Sequence, residues 1–462
     1  MPYDKGDNLK RHTLSSWRSS NKPHLLIYAH YYYPDTASTG QIVQDLAEGM
    51  VDAFRITVIC VVPSYLGTIE DKWKVQRYYH EDLNGVDVLR VSVPEFTKTN
   101  KISRVKNIMA YFFRAMRATG KIGRIDYVMS ISQPPVLGGL LGAWGRWSGK
   151  RHNRNRIEFS DGVSAEGRET KNPKYIYHIQ DCNPEQIIAV GYFKRKPLLC
   201  LLKKLDTYSC SKADFIVVPA RDMVQTIEKR FAKCPEKMPG IRIINNWTDD
   251  KEIYPLTSEH PKVVEFKKKY GLEKKYIISY SGNLGQYYDL DNLLKVIRKF
   301  KGAKTKSGRE VVFVFIGNGT QKVSMEAYVQ ENHMDNVVFI PYQEKKDLIY
   351  SLNAADVQWC VNAKGIKGVS CPSKYYGIAA VGKPVLGVLE EETEIRCVIE
   401  KCGSGLCCEP GDYKGIERNL RWFIEHAGEE VVKNMGLNGR KYLEENLSKE
   451  RSIGEFRNLM EL

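Results

Sequence analysis

Residues 279–297 read SYSGNLGQYYDLDNLLKVI. A strand enters from "KYIIS", a turn follows with glycines at Gly282 and Gly285, and a helical pattern then begins. This strand, glycine turn and helix form the unit from which parallel sheets are built. The design recurs at once in "VVFVFIGNGTQK", with Gly317 and Gly319 in the turn, and further short apolar runs follow at 337–342, 356–362 and 384–388. Upstream, runs at 24–30, 55–62, 86–93, 127–132, 174–181 and 215–220 make a first block of the same kind. A polar, Pro-containing link at 241–256 separates the two blocks. The expected architecture is therefore α/β: two facing, doubly wound, Rossmann-like domains with a cleft at the carboxyl ends of their strands. The expected boundaries are a flexible segment at 1–22, a first domain at 23–247, a second at 248–440, and a terminal helix at 441–462 that packs back on the first domain.

A length of 462 residues suits two or three domains of about 150 residues each, and the two blocks favour two. Hydrophobic residues at 42% and charged residues at 27% are ordinary for a globular chain and exclude a disordered or fibrous one. Lys and Arg outnumber Asp and Glu by 70 to 55, for a net charge of +15. That surplus suits nucleic acid, an anionic membrane surface or a phosphorylated small molecule, and equally a solvated basic surface. The eleven cysteines form no CxxC pair and no Cys/His cluster at zinc spacing, which points to reduced thiols in a cytoplasmic compartment and to no metal site. No apolar core of a signal peptide is present, and the longest apolar stretch, 134–147, is shorter than the roughly 20 residues that span a bilayer.

Two segments interrupt the pattern. Residues 101–124 place apolar positions at helical spacing among seven Lys or Arg, as in a packed amphipathic helix or a membrane-surface helix. Residues 148–174 are polar and basic and read as an exposed loop.

Four stretches bear the residue types of a site. In "YYYPDTASTGQIVQDLAEGM" (31–50), small residues and Gly40 open a helix whose free N–H groups favour an anion; a plain N-cap turn needs no more than Ser38, Thr39 and Gly40. In "YHIQDCNPEQ" (177–186), Asp181 and Glu185 stand at a strand's carboxyl end, where a carboxylate holds a hydroxyl, acts as a base or caps a helix. The turns at Gly282 and Gly317 suit phosphate. In "CPSKYYGIAAVGKPVLGV" (371–388), Ser373 and Lys374 bring a hydroxyl and an ammonium to a helix start, fit for a diphosphate or for a surface cap.

The ordered set "YYYPD…TG", "SQPPVLGGLLGAW", "IQDCNPEQ", "INNWTD", "SGNLG", "IGNG" and "PSKYYGIAAVGKPV" resembles the retaining glycosyltransferases of family 4, in particular bacterial enzymes that build surface polysaccharide. The resemblance implies a GT-B fold and transfer of a sugar from a nucleoside diphosphate sugar to a hydroxyl of a lipid-linked or polysaccharide acceptor. No cofactor or metal is needed, and the enzyme works in the cytoplasm or at the cytoplasmic face of an anionic membrane. Carried over by motif, Asp181 and Lys374 become the catalytic pair. Donor contacts fall on Gly40, Gly282, Asn283, Gly317, Tyr342, Gln343, Ser373, Lys374 and Glu394, the last near the ribose. Acceptor contacts fall on Tyr33, Asp35, Thr39 and Glu185. The chain departs from the family pattern where paired glutamates are usual, at Val369 and Gly377, and where cations follow the "SG" turn, at Asn283 and Gln286. The first departure removes the residues that usually contact the sugar and ribose, and the second shifts phosphate neutralisation onto Lys374. A nucleotide-sugar epimerase of the same fold is the alternative, with a basic nucleic-acid-binding protein behind it.

Overall fold

The computed structural model describes residues 22–35, 37–97, 100–158, 172–189, 191 and 196–461. The expected flexible segment at 1–22 thus falls almost wholly outside the described residues, as does 159–171 of the expected basic loop.

Eight strands make the first sheet: β1 (His24–Tyr28), β2 (Arg55–Val61), β3 (Tyr78–Leu83), β4 (Val86–Val91), β5 (Tyr127–Ile131), β6 (Lys174–His178), β7 (Phe215–Val218) and β8 (Gly240–Ile243). Six make the second: β9 (Tyr276–Ser281), β10 (Val311–Ile316), β11 (Val337–Ile340), β12 (Val357–Val361), β13 (Val385–Val388) and β14 (Gly405–Cys408). The first sheet runs β3-β4-β2-β1-β5-β6-β7-β8 and the second β11-β10-β9-β12-β13-β14; only the β3–β4 hairpin is antiparallel. Each sheet grows outward in one direction from its first strand, then reverses, so β1/β5 and β9/β12 are the switch points at which a doubly wound sheet opens a crevice.

Burial on both faces explains the apolar runs. Leu26 and Tyr28 of β1 face one core with Tyr111 and Leu141, whereas Leu25 and Ile27 face another with Val43 and Leu46. In the second sheet Ile278 and Tyr280 alternate with Ile277 in the same way. The helix Lys449–Glu461 crosses back to the first domain, where Ile453, Phe456, Leu459 and Met460 join the cluster around Leu25.

The structure corrects several local readings. Residues 148–158 continue the helix Leu137–Glu158 rather than forming a loop, and Ile125 N–H and carbonyl are both bound by the Asn153 side chain. The single terminal helix is two, Glu430–Asn446 and Lys449–Glu461. The link at 241–256 begins inside β8, and β3 and β14 also lie outside the expected runs. Among the described residues no helix is long and apolar enough to cross a membrane.

Candidate active site

The cleft pocket draws on both switch points. Ser38, Thr39 and Ile42 come from the segment after β1, Gln133 from the end of β5, and Gln180 and Asp181 from the end of β6. From the second domain come Asn283, Tyr287 and Tyr288 after β9, Asn362 after β12, and the run Ser370–Ser373. Asp181 is the one charged side chain of this lining; amides and hydroxyls supply most of the rest. Such a wall offers paired donors and acceptors, as a sugar's hydroxyls require.

Glycines bring the turns together. Gly282 has φ +145° and Gly317 φ +137°. A Cβ on Gly317 would meet the Gly282 carbonyl oxygen at 2.1 Å, and one on Gly282 would meet Lys374 Cε at 2.8 Å. The Lys374 stem therefore lies directly over the Gly282 turn. Its Nζ stands 3.6 Å from the ring centroid of Tyr288 and 5.1 Å from that of Tyr280. No carboxylate among the described residues pairs with it, although this chain has many exposed lysine–glutamate pairs elsewhere. Tyr280 is fully buried and donates its hydroxyl to the Asn283 carbonyl (2.7 Å), which fixes the turn from below.

Asp181 is held at the domain junction. It bridges to Ser370, and Cys182 N–H donates to the Val369 carbonyl at 2.8 Å. Burial raises the Asp181 carboxyl above the usual range, while hydrogen bonds with Ser370, Gln186 and Gln133 oppose that rise. Behind it Gln180 and Asn246 exchange amide hydrogen bonds of 2.9 and 2.8 Å.

The other expected site residues are dispersed. Thr39, Asn283 and Ser373 line the pocket, and Gly40 packs its backbone close to the Tyr31 carbonyl. Asp35 accepts hydrogen bonds from Ser64 and Tyr65 N–H, and Tyr33 is half exposed. Glu185 pairs with the buried Arg230 at 2.6 Å, and the same guanidinium binds Asp206. Tyr342 is exposed and Gln343 partly buried beyond β11, both outside the lining, and the Gln343 amide donates to the Pro341 carbonyl. Glu394 is buried against the first domain: Arg221 Nε lies 2.8 Å from its carboxylate. Neighbouring Asp222 accepts from the Glu394 N–H (3.1 Å) and the Gly368 N–H (2.7 Å), so helix Arg221–Phe231 clasps two segments of the second domain.

Sequence reasoning missed Tyr287, Tyr288, Gln133, Gln180, Gln186 and Asn246. Gln133, Gln180, Gln186 and Asn246 lie inside the quoted motifs, but tyrosines after a glycine turn have no signal of their own.

Two switch points facing across one cleft, with a lysine over the glycine turn of the second, decide the architecture. The fold is GT-B. A solved structure of Anabaena HepE in complex with UDP and glucose superposes with a TM-score of 0.63 over 95% of this chain and 99% of that one, at 10% identity. Residues 263–442, nearly all of the second domain, match the family model described as glycosyl transferases group 1. The probable glycosyltransferase WbjE of Pseudomonas aeruginosa is 28% identical over 287 residues, 61% of this chain and 67% of that one. The putative colanic acid biosynthesis glycosyl transferase WcaI of Escherichia coli K12 is 27% identical over 289 residues, 61% of this chain and 66% of WcaI. The alignments thus span about two thirds of each relative's length. The family match and both relatives support a glycosyltransferase rather than an epimerase.

Proposed function

We propose that this GT-B chain moves a hexose-type unit from a nucleoside diphosphate sugar to a hydroxyl of a lipid-linked or polysaccharide acceptor, with retention at the anomeric carbon and without a metal. The observation that carries this reading is the Lys374 ammonium, held over the Gly282 turn with no carboxylate among the described residues to cancel it. The difficult part of such a reaction is the charge that develops on the departing diphosphate. Preorganised donors at that oxygen contribute about 3 kcal/mol each. Lys374 and the Ser373 hydroxyl are the donors in place. Asp181, which lines the pocket together with Ser373 and Tyr288, receives a hydroxyl of the reacting sugar or acceptor.

Retention rests on the family resemblance. A surface-glycan acceptor is supported by WcaI, whose name refers to colanic acid biosynthesis. A uridine donor is the first to test, because HepE of the same fold was solved with UDP and glucose. A helical layer with exposed apolar and basic side chains on the first domain supports contact with an anionic membrane at the cytoplasmic face, which liposome flotation tests.

The deciding experiment incubates the protein with nucleotide sugars of each base, with and without acceptor lipid extract, and follows nucleoside diphosphate release and product anomer. Acceptor-dependent release is expected, and Lys374→Ala lowers its turnover by about 100-fold with folding intact. Isomerised sugar without release, or full activity of the alanine variant, overturns the proposal.

A further inference from the structure

We infer that Tyr288 is a positioning residue for Lys374, a ring that holds the ammonium at the glycine turn without neutralising it. This rests on the role proposed above for Lys374.

Lysine is a flexible cation with four methylenes, and a mobile ammonium is a poor preorganised donor. A carboxylate partner would fix it but would also cancel the charge that a diphosphate needs. An aromatic face fixes a cation and leaves the charge intact. Lys374 Nζ lies 3.6 Å from the Tyr288 centroid, while the second ring, the buried Tyr280, stands 5.1 Å away beside Tyr288. The stem is pinned below by Gly282, where there is no side chain to displace it. Neither Asn283 nor Gln286 on the same turn adds a cation, so the positioning of one ammonium matters more here.

The segment that carries Tyr288 is itself anchored. Tyr288 ends the short turn Gln286–Tyr288, and Asp289 after it takes φ +53°, an uncommon conformation for a non-glycine residue. Tyr413 donates its hydroxyl to Asp289 Oδ2 at 2.8 Å, and the Asn292 amide donates to Oδ1 at 2.7 Å. On the other side, Ala363 N–H donates to the Tyr287 carbonyl at 2.7 Å, tying the turn to the end of β12. Three hydrogen bonds, two on the Asp289 carboxylate and one on the Tyr287 carbonyl, thus hold the residues on either side of Tyr288.

The test measures kcat and donor affinity for Tyr288→Phe and Tyr288→Leu, each in the native and the Lys374→Ala background, with thermal melts to confirm folding. Tyr288→Phe keeps the ring and stays within about threefold of native kcat, whereas Tyr288→Leu loses about tenfold. In the Lys374→Ala background the leucine change costs less than about twofold, because the two residues act as a unit. Three results overturn the inference: native kcat for Tyr288→Leu, equal losses for Phe and Leu, or an undiminished leucine effect without Lys374. If Lys374→Ala alone keeps full activity, the proposed role of Lys374 fails first, and that outcome is distinct from the other three.

Discussion

Asp181 pays for its place in the pocket. An acid whose folded pKa is raised binds its proton more tightly when folded, so ionisation destabilises the native state. The cost is fully present above the folded pKa and vanishes as pH falls below the unfolded value, about 3.9. Asp181→Asn is therefore expected to melt higher than the native protein near pH 7, with the gap closing as pH falls towards 4, while transfer falls by about 100-fold. Thermal melts from pH 4 to 8 check this; a variant that melts lower at pH 7 refutes it. Asp181 was legible because a carboxylate between an apolar strand and an Asn-Pro turn has few other places to be. Tyr288 and the pocket amides were not, because a tyrosine or glutamine reads equally well as core or surface until the fold sets its neighbours.

Elements were legible in proportion to their burial. A strand such as β10, buried along its whole length, is a continuous apolar run. By contrast β3 alternates polar and exposed at the sheet edge, and β8 is half exposed, so neither leaves such a run. Polar composition likewise concealed the end of helix Leu137–Glu158. That helix lies between Lys101–Thr119 and Lys196–Lys212 on one face of the first sheet. The outer surface of the three exposes Ile102, Val105, Phe113, Trp147, Leu201 and Tyr208 beside lysines such as Lys106, Lys203 and Lys204. Apolar side chains that insert and cations that meet headgroups are the combination an anionic bilayer attracts. The protein is expected to float with vesicles rich in anionic phospholipid at low salt and not with neutral ones. Phe113→Glu with Leu201→Glu should reduce flotation at least fivefold while leaving donor turnover with a soluble acceptor unchanged; equal flotation of native protein and variant would remove this face from the proposal.

At the scale of the whole molecule, the two-block repeat was enough to read a two-domain α/β fold, since each block had to close its own parallel sheet. What joins the domains was not readable. The clasp links Asp222 to Gly368 and Glu394, and the bridge links Asp181 to Ser370, all partners far apart in sequence. The acid response follows from a different asymmetry. Burial lowers His24 to about 4 and His30 and His178 to about 3, and all three belong to the first domain. A histidine with a depressed folded pKa gives stability that is full above its unfolded value, about 6.5, and is lost as pH falls towards the folded value. Each forfeits about 2 kcal/mol by pH 5, and about 6 kcal/mol together is comparable with the 5–15 kcal/mol that holds a domain. His178 also packs 5.1 Å from Phe456, so its protonation strains the seat of the C-terminal helix. Between pH 6.5 and 4.5, hydrogen exchange corrected for intrinsic rate should show β1, β5, β6 and the helix Lys449–Glu461 losing protection while β9, β10 and β12 keep theirs. Loss of the second sheet first, or of both together, would mean that the buried histidines do not set the acid limit.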